Sequence, residues 1–365
     1  MNRKLAVFLA FALTLSLMVG CAPAKGADAQ QGASSETILF TDSCGRQVEL
    51  PKNITRVAPS GSIAQMILYT VAPDTLVGWS SNPGGQTAGY IADKYLQLPV
   101  LGQFYGGSNT LNMEALIAAD PQVIIDLGDM KSTHKDDMDD IQQRTGIPTI
   151  FIEANLETFP QAYRTLGELL GCEDAAESIA QYIESTVSEV RAIAATIPEE
   201  ERVTVMFGTG ESGLDCNAKG SFHADVIDLV GAENAVVVEE VSSKGGGNTI
   251  SLEQVMLFDP DVILFASGGP YETVGSDPAW GAIRAIRENR YYEIPMGPYH
   301  WLSSPPSVNR IVGIKWLAEL IYPEYYDYDV EQETRTFYSL FWHYELTDEE
   351  VTQFLERSIL KSRAE

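Results

Sequence analysis

Four loops of this 365-residue chain gather the side chains best suited to hold a small molecule. Pro59-Ser60-Gly61-Ser62 follows the short apolar run Ile54 to Ala58 and precedes a segment rich in Ile, Met and Leu. Ser60 or Ser62 can therefore cap a helix, leaving backbone N–H groups and hydroxyls where α/β folds bind ligands, although a plain cap is the commoner use of such serines. Trp79 to Gln86 and Gln103 to Asn109 are irregular polar stretches carrying Trp79 and Tyr105. The richest polar-aromatic loop runs from Met296 to Arg310 and includes Tyr299, His300, Trp301, Ser303, Ser304 and Arg310. Aromatic residues in such a loop serve equally as its own small core.

Two chemistries fit these residues. An iron complex or haem needs aromatic walls and a Tyr or His within reach of the metal, which Trp79, Tyr105, His223, Tyr299, His300 and Trp301 supply. An oxyanion needs helix N-termini with hydroxyls, which Ser60 to Ser62 and Ser303-Ser304 supply. The nearest cations are Arg310 and Lys219, too few for an arginine cluster around a highly charged anionic siderophore. No protein side chain forms a certain metal site, and no intrinsic cofactor is expected. Catalysis is disfavoured: the chain has no G-x-S-x-G and no H-E-x-x-H, and its four histidines lie far apart. Gly208-Thr209-Gly210-Glu211-Ser212-Gly213 is formally G-x-G-x-x-G, but Leu214 to Gly220 lacks helical periodicity, so a flexible loop at a cleft is expected rather than a dinucleotide site. An extracellular enzyme on an α/β frame remains the rival class, and an adhesive lipoprotein a third.

The elements that must position these loops alternate between short Val/Ile-rich runs and helical patterns, the signature of parallel α/β units. A hairpin is expected over Ile38 to Thr41 and Gln47 to Leu50, a strand over Thr75 to Trp79, and helices over Trp280 to Arg290, Val308 to Ile321, Glu331 to His343 and Thr347 to Leu355. Between the halves lies Cys172 to Thr196, free of glycine and proline, with apolar residues stepping by three and four from Ala176 to Ile197. Acidic residues lead it, Arg191 lies near its end and Pro198 stops it, so one long helix joins two lobes rigidly. The expected architecture is two Rossmann-like α/β lobes, 37–171 and 198–365, joined by a helix over 172–197, with the ligand cleft between the lobes. Such a linker limits closure to a few degrees.

Each half also contains a short helix, a glutamate and an Asp-Pro turn leading into a strand. Glu114 to Asp120 and Glu253 to Asp259 are both six residues apart, and the copies are separated by 139 residues. Matched spacing indicates pseudo-symmetric lobes. A glutamate in a first helical turn is ordinarily there for the helix dipole.

The N-terminus carries Arg3 and Lys4, an uncharged apolar run from Leu5 to Val19, and Gly20-Cys21. Fifteen apolar residues are too few for an ordinary transmembrane helix, so residues 1–20 are expected to be an export signal. The junction resembles a bacterial lipobox, with Met18 in place of the usual leucine, and implies that Cys21 is lipidated. An Ala/Gly/Ser/Gln tether over 21–36 suits an anchored protein. Losing Arg3 and Lys4 lowers the formal charge of −27 by two, to −29, which argues against nucleic acid and against electrostatic adhesion to anionic lipid. Cys44, Cys172 and Cys216 remain, an odd set that matches no zinc spacing and is expected to be mainly structural.

In order and spacing, Asp42 to Arg46 with Leu50-Pro51 and Arg56-Val57, Leu76-Val77-Gly78, the two Glu…Asp-Pro units, Val230 to Asn234, Trp316 to Ala318 and Tyr322 to Glu324 resemble a known family. These are the solute-binding proteins of ABC importers for iron-siderophore complexes, haem and cobalamin, with two lobes and a single helical linker. The resemblance implies a monomer on the outer face of the cell membrane, held only by its N-terminal lipid and serving a permease dimer with its cytoplasmic ATPase. It implies that Glu114 and Glu253 meet permease arginines, and that the Tyr299-to-Arg310 loop takes an iron complex, haem, a corrinoid or molybdate.

Overall fold

A computed structural model of the chain describes residues 36–84, 89–105, 110–242, 246–303 and 305–359. The expected signal, tether and Cys21 lie outside the described residues, as does Ser304. Residues from Thr37 onward form one compact unit.

The expected opening hairpin is present as β1 (Thr37–Thr41) and β2 (Gln47–Pro51), paired antiparallel across a turn in which Gly45 takes a φ of 73°. The first sheet has three parallel strands, β3 (Val57–Pro59), β4 (Val123–Gly128) and β5 (Thr149–Glu153), with β4 central. All six residues of β4 are buried, as a parallel strand covered on both faces requires. The strand expected over Thr75 to Trp79 is absent. Pro73–Thr75 makes a 3₁₀ turn instead, and only single bridges, Leu76 to Val57 and Trp79 to Val100, join this stretch to its neighbours.

Around this sheet lie α1 (Ser62–Val71), α2 (Met113–Ala119), α3 (His134–Thr145) and α4 (Phe159–Leu170). The long helix comes next as α5 (Glu173–Ala194), about 33 Å at 1.5 Å per residue. It buries the stripe Ala176, Ile179, Ala180, Ile183, Val187 and Val190, with Glu173 and Asp174 in its first turn and Arg191 in its last, as the helix dipole favours. It packs on α1 and α4, which precede it, and on α6 (Asp225–Leu229) and α8 (Arg310–Ile321), which come after it; α7 is Leu252–Phe258.

The second sheet runs β11 (Tyr291–Glu293), β10 (Val262–Phe265), β6 (Thr204–Thr209), β7 (Asp215–Cys216), β9 (Asn248–Thr249), with β8 (Glu233–Asn234) also on β6. β6, β8, β10 and β11 pair in parallel, while β7 returns antiparallel to β6. The glycine-rich stretch after β6 is thus a tight turn, with Gly210 and Gly213 at φ of 73° and 69°, rather than the expected flexible loop. Helix Trp280 to Arg290 is broken into a 3₁₀ turn over Trp280–Ala282 and a single α-turn over Arg284–Arg287. The chain ends with α9 (Val330–Phe337), a π-helical turn over Tyr338–Trp342, and α10 (Asp348–Leu355), whose Thr347 and Glu350 form a capping box. That π turn packs back on α1 of the first lobe, where Trp342 lies 5.8 Å from the Tyr69 ring. Cys44, Cys172 and Cys216 are free thiols.

Candidate ligand site

Pairing of Pro59 with Ile125 sets Ser60 beside Asp126, and the Ser60 N–H donates to the Ile125 carbonyl at 3.1 Å. The Ser60 hydroxyl donates to Asp126 Oδ1, and the Tyr105 hydroxyl donates to Asp126 Oδ2 at 2.6 Å. His134 Nδ1 accepts the Lys131 N–H at 2.8 Å, so the proton of the neutral ring sits on Nε2, which lies 3.3 Å from the Tyr105 oxygen and 3.7 Å from Asp126 Oδ2. Burial pushes the Asp126 carboxyl above its ordinary range, against the hydrogen bonds from Ser60 and Tyr105, and pushes His134 below its own. A cavity of about 270 Å³ opens here, lined by Ser60, Ser62, Gln103, Tyr105, Asp126 and Lys131. Both hydroxyl protons point at Asp126, so Ser60 and Tyr105 present lone pairs to it. Neither serine caps α1: its N-cap is Gly61, without a side-chain bond.

The second lobe answers with the loop between β11 and α8. His223 Nδ1 and the Ser303 hydroxyl are 2.7 Å apart. Arg310, only 2% exposed, opens α8, donates from Nη2 to the Phe222 carbonyl at 3.1 Å and pairs with Asp225 at the start of α6. Burial lowers its pKa to about 10, opposed by the charge of Asp129 just beyond β4 of the first lobe. Its Nε has no partner among the described residues, and the same holds for both ring nitrogens of His300. His300 is 5% exposed, stacks near Phe207 and is held neutral by burial, its pKa down to about 4. Tyr299 reaches the first lobe directly, its hydroxyl accepting from Gln65 Nε2 at 3.1 Å. An open cavity of about 630 Å³ is lined from both lobes, by Asp129, Asn155, Arg191, Arg202, Asp225 and Asp228 among others.

Two expected ligand walls lie elsewhere. Trp79 is 1% exposed in the core beside Tyr69 and donates its indole N–H to the Tyr95 carbonyl at 2.8 Å. Trp301 is fully buried against Trp316 and Phe354 and donates to the Tyr338 hydroxyl. Satisfied indoles in a packed core are structural. Glu114 and Glu253 are both exposed, in the first turns of α2 and α7.

Residues 57–297 match the family model described as periplasmic binding protein. The chain belongs to that family. An ABC transporter solute-binding protein from Sulfurospirillum deleyianum is 29% identical, with a TM-score of 0.79 over 88% of this chain and 99% of its own. A periplasmic solute-binding protein from Veillonella parvula is 24% identical, with a TM-score of 0.74 over 89% and 98%. The molybdate-bound binding protein MolA of Haemophilus influenzae, 19% identical with a TM-score of 0.68 over 85% and 99%, shares the fold. Comparison with curated proteins finds no match. This is a periplasmic solute-binding protein of an ABC transporter, a class that carries a transported ligand and works with permease and ATPase components. No helix among its described residues is long and apolar enough to cross a membrane.

The candidate site also contains residues that the sequence did not single out: Asp126, His134, Gln65, Asp129 and Asp225. Asp126 carried a signal, as the one acid inside the buried run Val123 to Leu127. His134 and Gln65 carried none, because each acts on a partner distant in sequence.

Proposed function

We propose that this binding protein captures an iron complex, a siderophore or haem, between its lobes and delivers it to the permease. The observation that carries this is in the second lobe, where neutral His300 keeps both ring nitrogens unpartnered among the described residues and the one buried arginine, Arg310, is already balanced by Asp225. A neutral imidazole suits a metal-bearing ligand of low net charge. Cobalamin meets the same description. Titration of the purified protein with ferric siderophores, haemin, cobalamin and molybdate, followed by tryptophan fluorescence, tests it, with native mass spectrometry and metal analysis of protein from its own host naming the ligand. Binding of an iron complex or haemin is expected; binding of molybdate alone would sink this reading. A second reading, molybdate or tungstate, is favoured by MolA and by the N–H and O–H groups of Arg310, His223 and Ser303, but the carboxylate of Asp126 in the first-lobe cavity repels an oxyanion.

Glu114 and Glu253, one per lobe, dock arginines of the permease dimer in this scheme. Residues 1–20 are a lipoprotein signal and Cys21 carries the lipid, so Cys21→Ser should release the protein into the medium; retention on the membrane would exclude the anchor. The protein acts as a monomer.

A further inference from the structure

The two glutamates sit on duplicated pedestals. α2 and α7 are each seven residues long, capped at the start by a side chain that accepts a backbone N–H, Asn112 from Ala115 at 3.1 Å and Ser251 from Gln254 at 3.3 Å. Each ends in an aspartate in the left-handed region, Asp120 at φ 47° and Asp259 at φ 43°. Each end is gripped by an arginine: Arg56 Nε donates to the Asp120 carbonyl at 2.7 Å, and Arg284 Nη2 to the Asp259 carbonyl at 3.0 Å. Each helix is seated by one buried side chain, Leu116 or Val255. On both pedestals a large aliphatic side chain stands in water one turn beyond the glutamate, Ile117 at 69% exposure and Leu257 at 84%, with Met256 beside the latter. Spacings of three and four residues put each on the same helix face as its glutamate. A lone exposed aliphatic residue is ordinary; exposed apolar side chains one turn beyond the carboxylate on both duplicated supports, Ile117 on one and Met256, its counterpart in register, with Leu257 on the other, are not.

We infer that docking to the permease is two-part in each lobe: the carboxylate meets a cation, and Ile117 or Leu257 fills an apolar pocket next to it on the same permease half. This rests on the reading that Glu114 and Glu253 face the permease. Charge selects that occupant over the others. A chain of formal charge −27, with a carboxylate beside each aliphatic group, repels both an anionic lipid surface and a second copy of itself. The two contributions separate by salt, since carboxylate pairing is screened and apolar burial is not.

The test is binding of the full-length protein to its permease–ATPase complex in nanodiscs, from low to high salt, with protein-free nanodiscs of the same lipid as control. Ile117→Ser and Leu257→Ser should each weaken docking roughly ten-fold at every salt concentration, as expected for withholding a large aliphatic side chain from burial. Glu114→Gln and Glu253→Gln should weaken it at low salt and flatten the salt dependence. Serine variants within two-fold of the native protein would overturn the apolar contact while leaving docking by the glutamates intact. If the glutamine variants also bind normally, the docking reading itself falls. Native binding to protein-free nanodiscs that the serine variants lose would assign the aliphatic pair to lipid and overturn the inference. Both residues are exposed, so unchanged thermal melting is expected in every variant.

Discussion

The two lobes meet the cleft with opposite habits. In the first, Ser60, Tyr105, His134 and Asp126 satisfy one another around a single buried carboxylate. In the second, His300 and the Nε of Arg310 are buried with no partner among the described residues. A satisfied buried network is costly to disturb and gives its lobe one fixed shape, whereas an unpartnered buried donor or acceptor is tolerated where it serves some further purpose. Under the proposed function, the first lobe is the preformed half of the site and the second the half whose polar groups a ligand would satisfy.

The contrast breaks most forcefully at Asp126. Asp126→Ala strands the buried hydroxyl of Ser60 and the half-buried hydroxyl of Tyr105, and a full penalty of about 2 kcal/mol for the first with a smaller one for the second predicts a loss of about 3 kcal/mol in denaturant unfolding. Relief of the buried carboxylate offsets part of this, so Asp126→Asn, which keeps one acceptor, should fall between the two. A loss under about 1 kcal/mol in the alanine variant would mean that the network does not hold the lobe together.

His300 gives the next effect, and burial sets its sign. Its folded pKa of about 4 lies below the ordinary 6.5, so the unfolded chain takes up the proton first. Stability from this group is complete above about pH 6.5 and is lost as pH falls toward 4, by up to about 3 kcal/mol. His134 and His343 are shifted downward in the same way, so His300→Leu should flatten the acid limb of the stability curve without abolishing it. An acid limb of unchanged slope would show that His300 is not held neutral in the folded state.

Much of this architecture was legible because it rests on local patterning. The hairpin around Gly45, the stripe of α5 and the repeated Glu…Asp-Pro units all come from spacing that survives folding unchanged. The site was less legible. Trp79 and Trp301 sit in loops rich in polar residues, but their rings turn into the core, a choice made by packing partners such as Tyr69, Trp316 and Phe354. Ser60 was placed correctly beside a helix start, yet its hydroxyl goes to Asp126, 66 residues away, because strand pairing outweighs the local option of capping. The strand expected over Thr75 to Trp79 gives way to the 3₁₀ turn that Pro73 starts, leaving too few residues to extend the ladder.

Tyr299 lies on the boundary between the two habits and gives the smallest effect. Its hydroxyl belongs to the second lobe but accepts from Gln65 of the first, whose Oε1 also takes the Ser80 and Ser81 N–H groups and the Ser80 hydroxyl. Gln65 Nε2 is 3.2 Å from the Ser81 hydroxyl as well, so Tyr299→Phe leaves it with an acceptor, and the cost should be about 1 kcal/mol or less. If the phenol is chiefly a tie between lobes, as this bond indicates, ligand affinity should move less than about five-fold, roughly 1 kcal/mol, in parallel with stability. A phenol that instead binds the metal would show the reverse, affinity falling far more than stability when both are measured on one preparation. That outcome would move Tyr299 out of the preformed frame and join it to His300 on the side of the site that waits for its ligand.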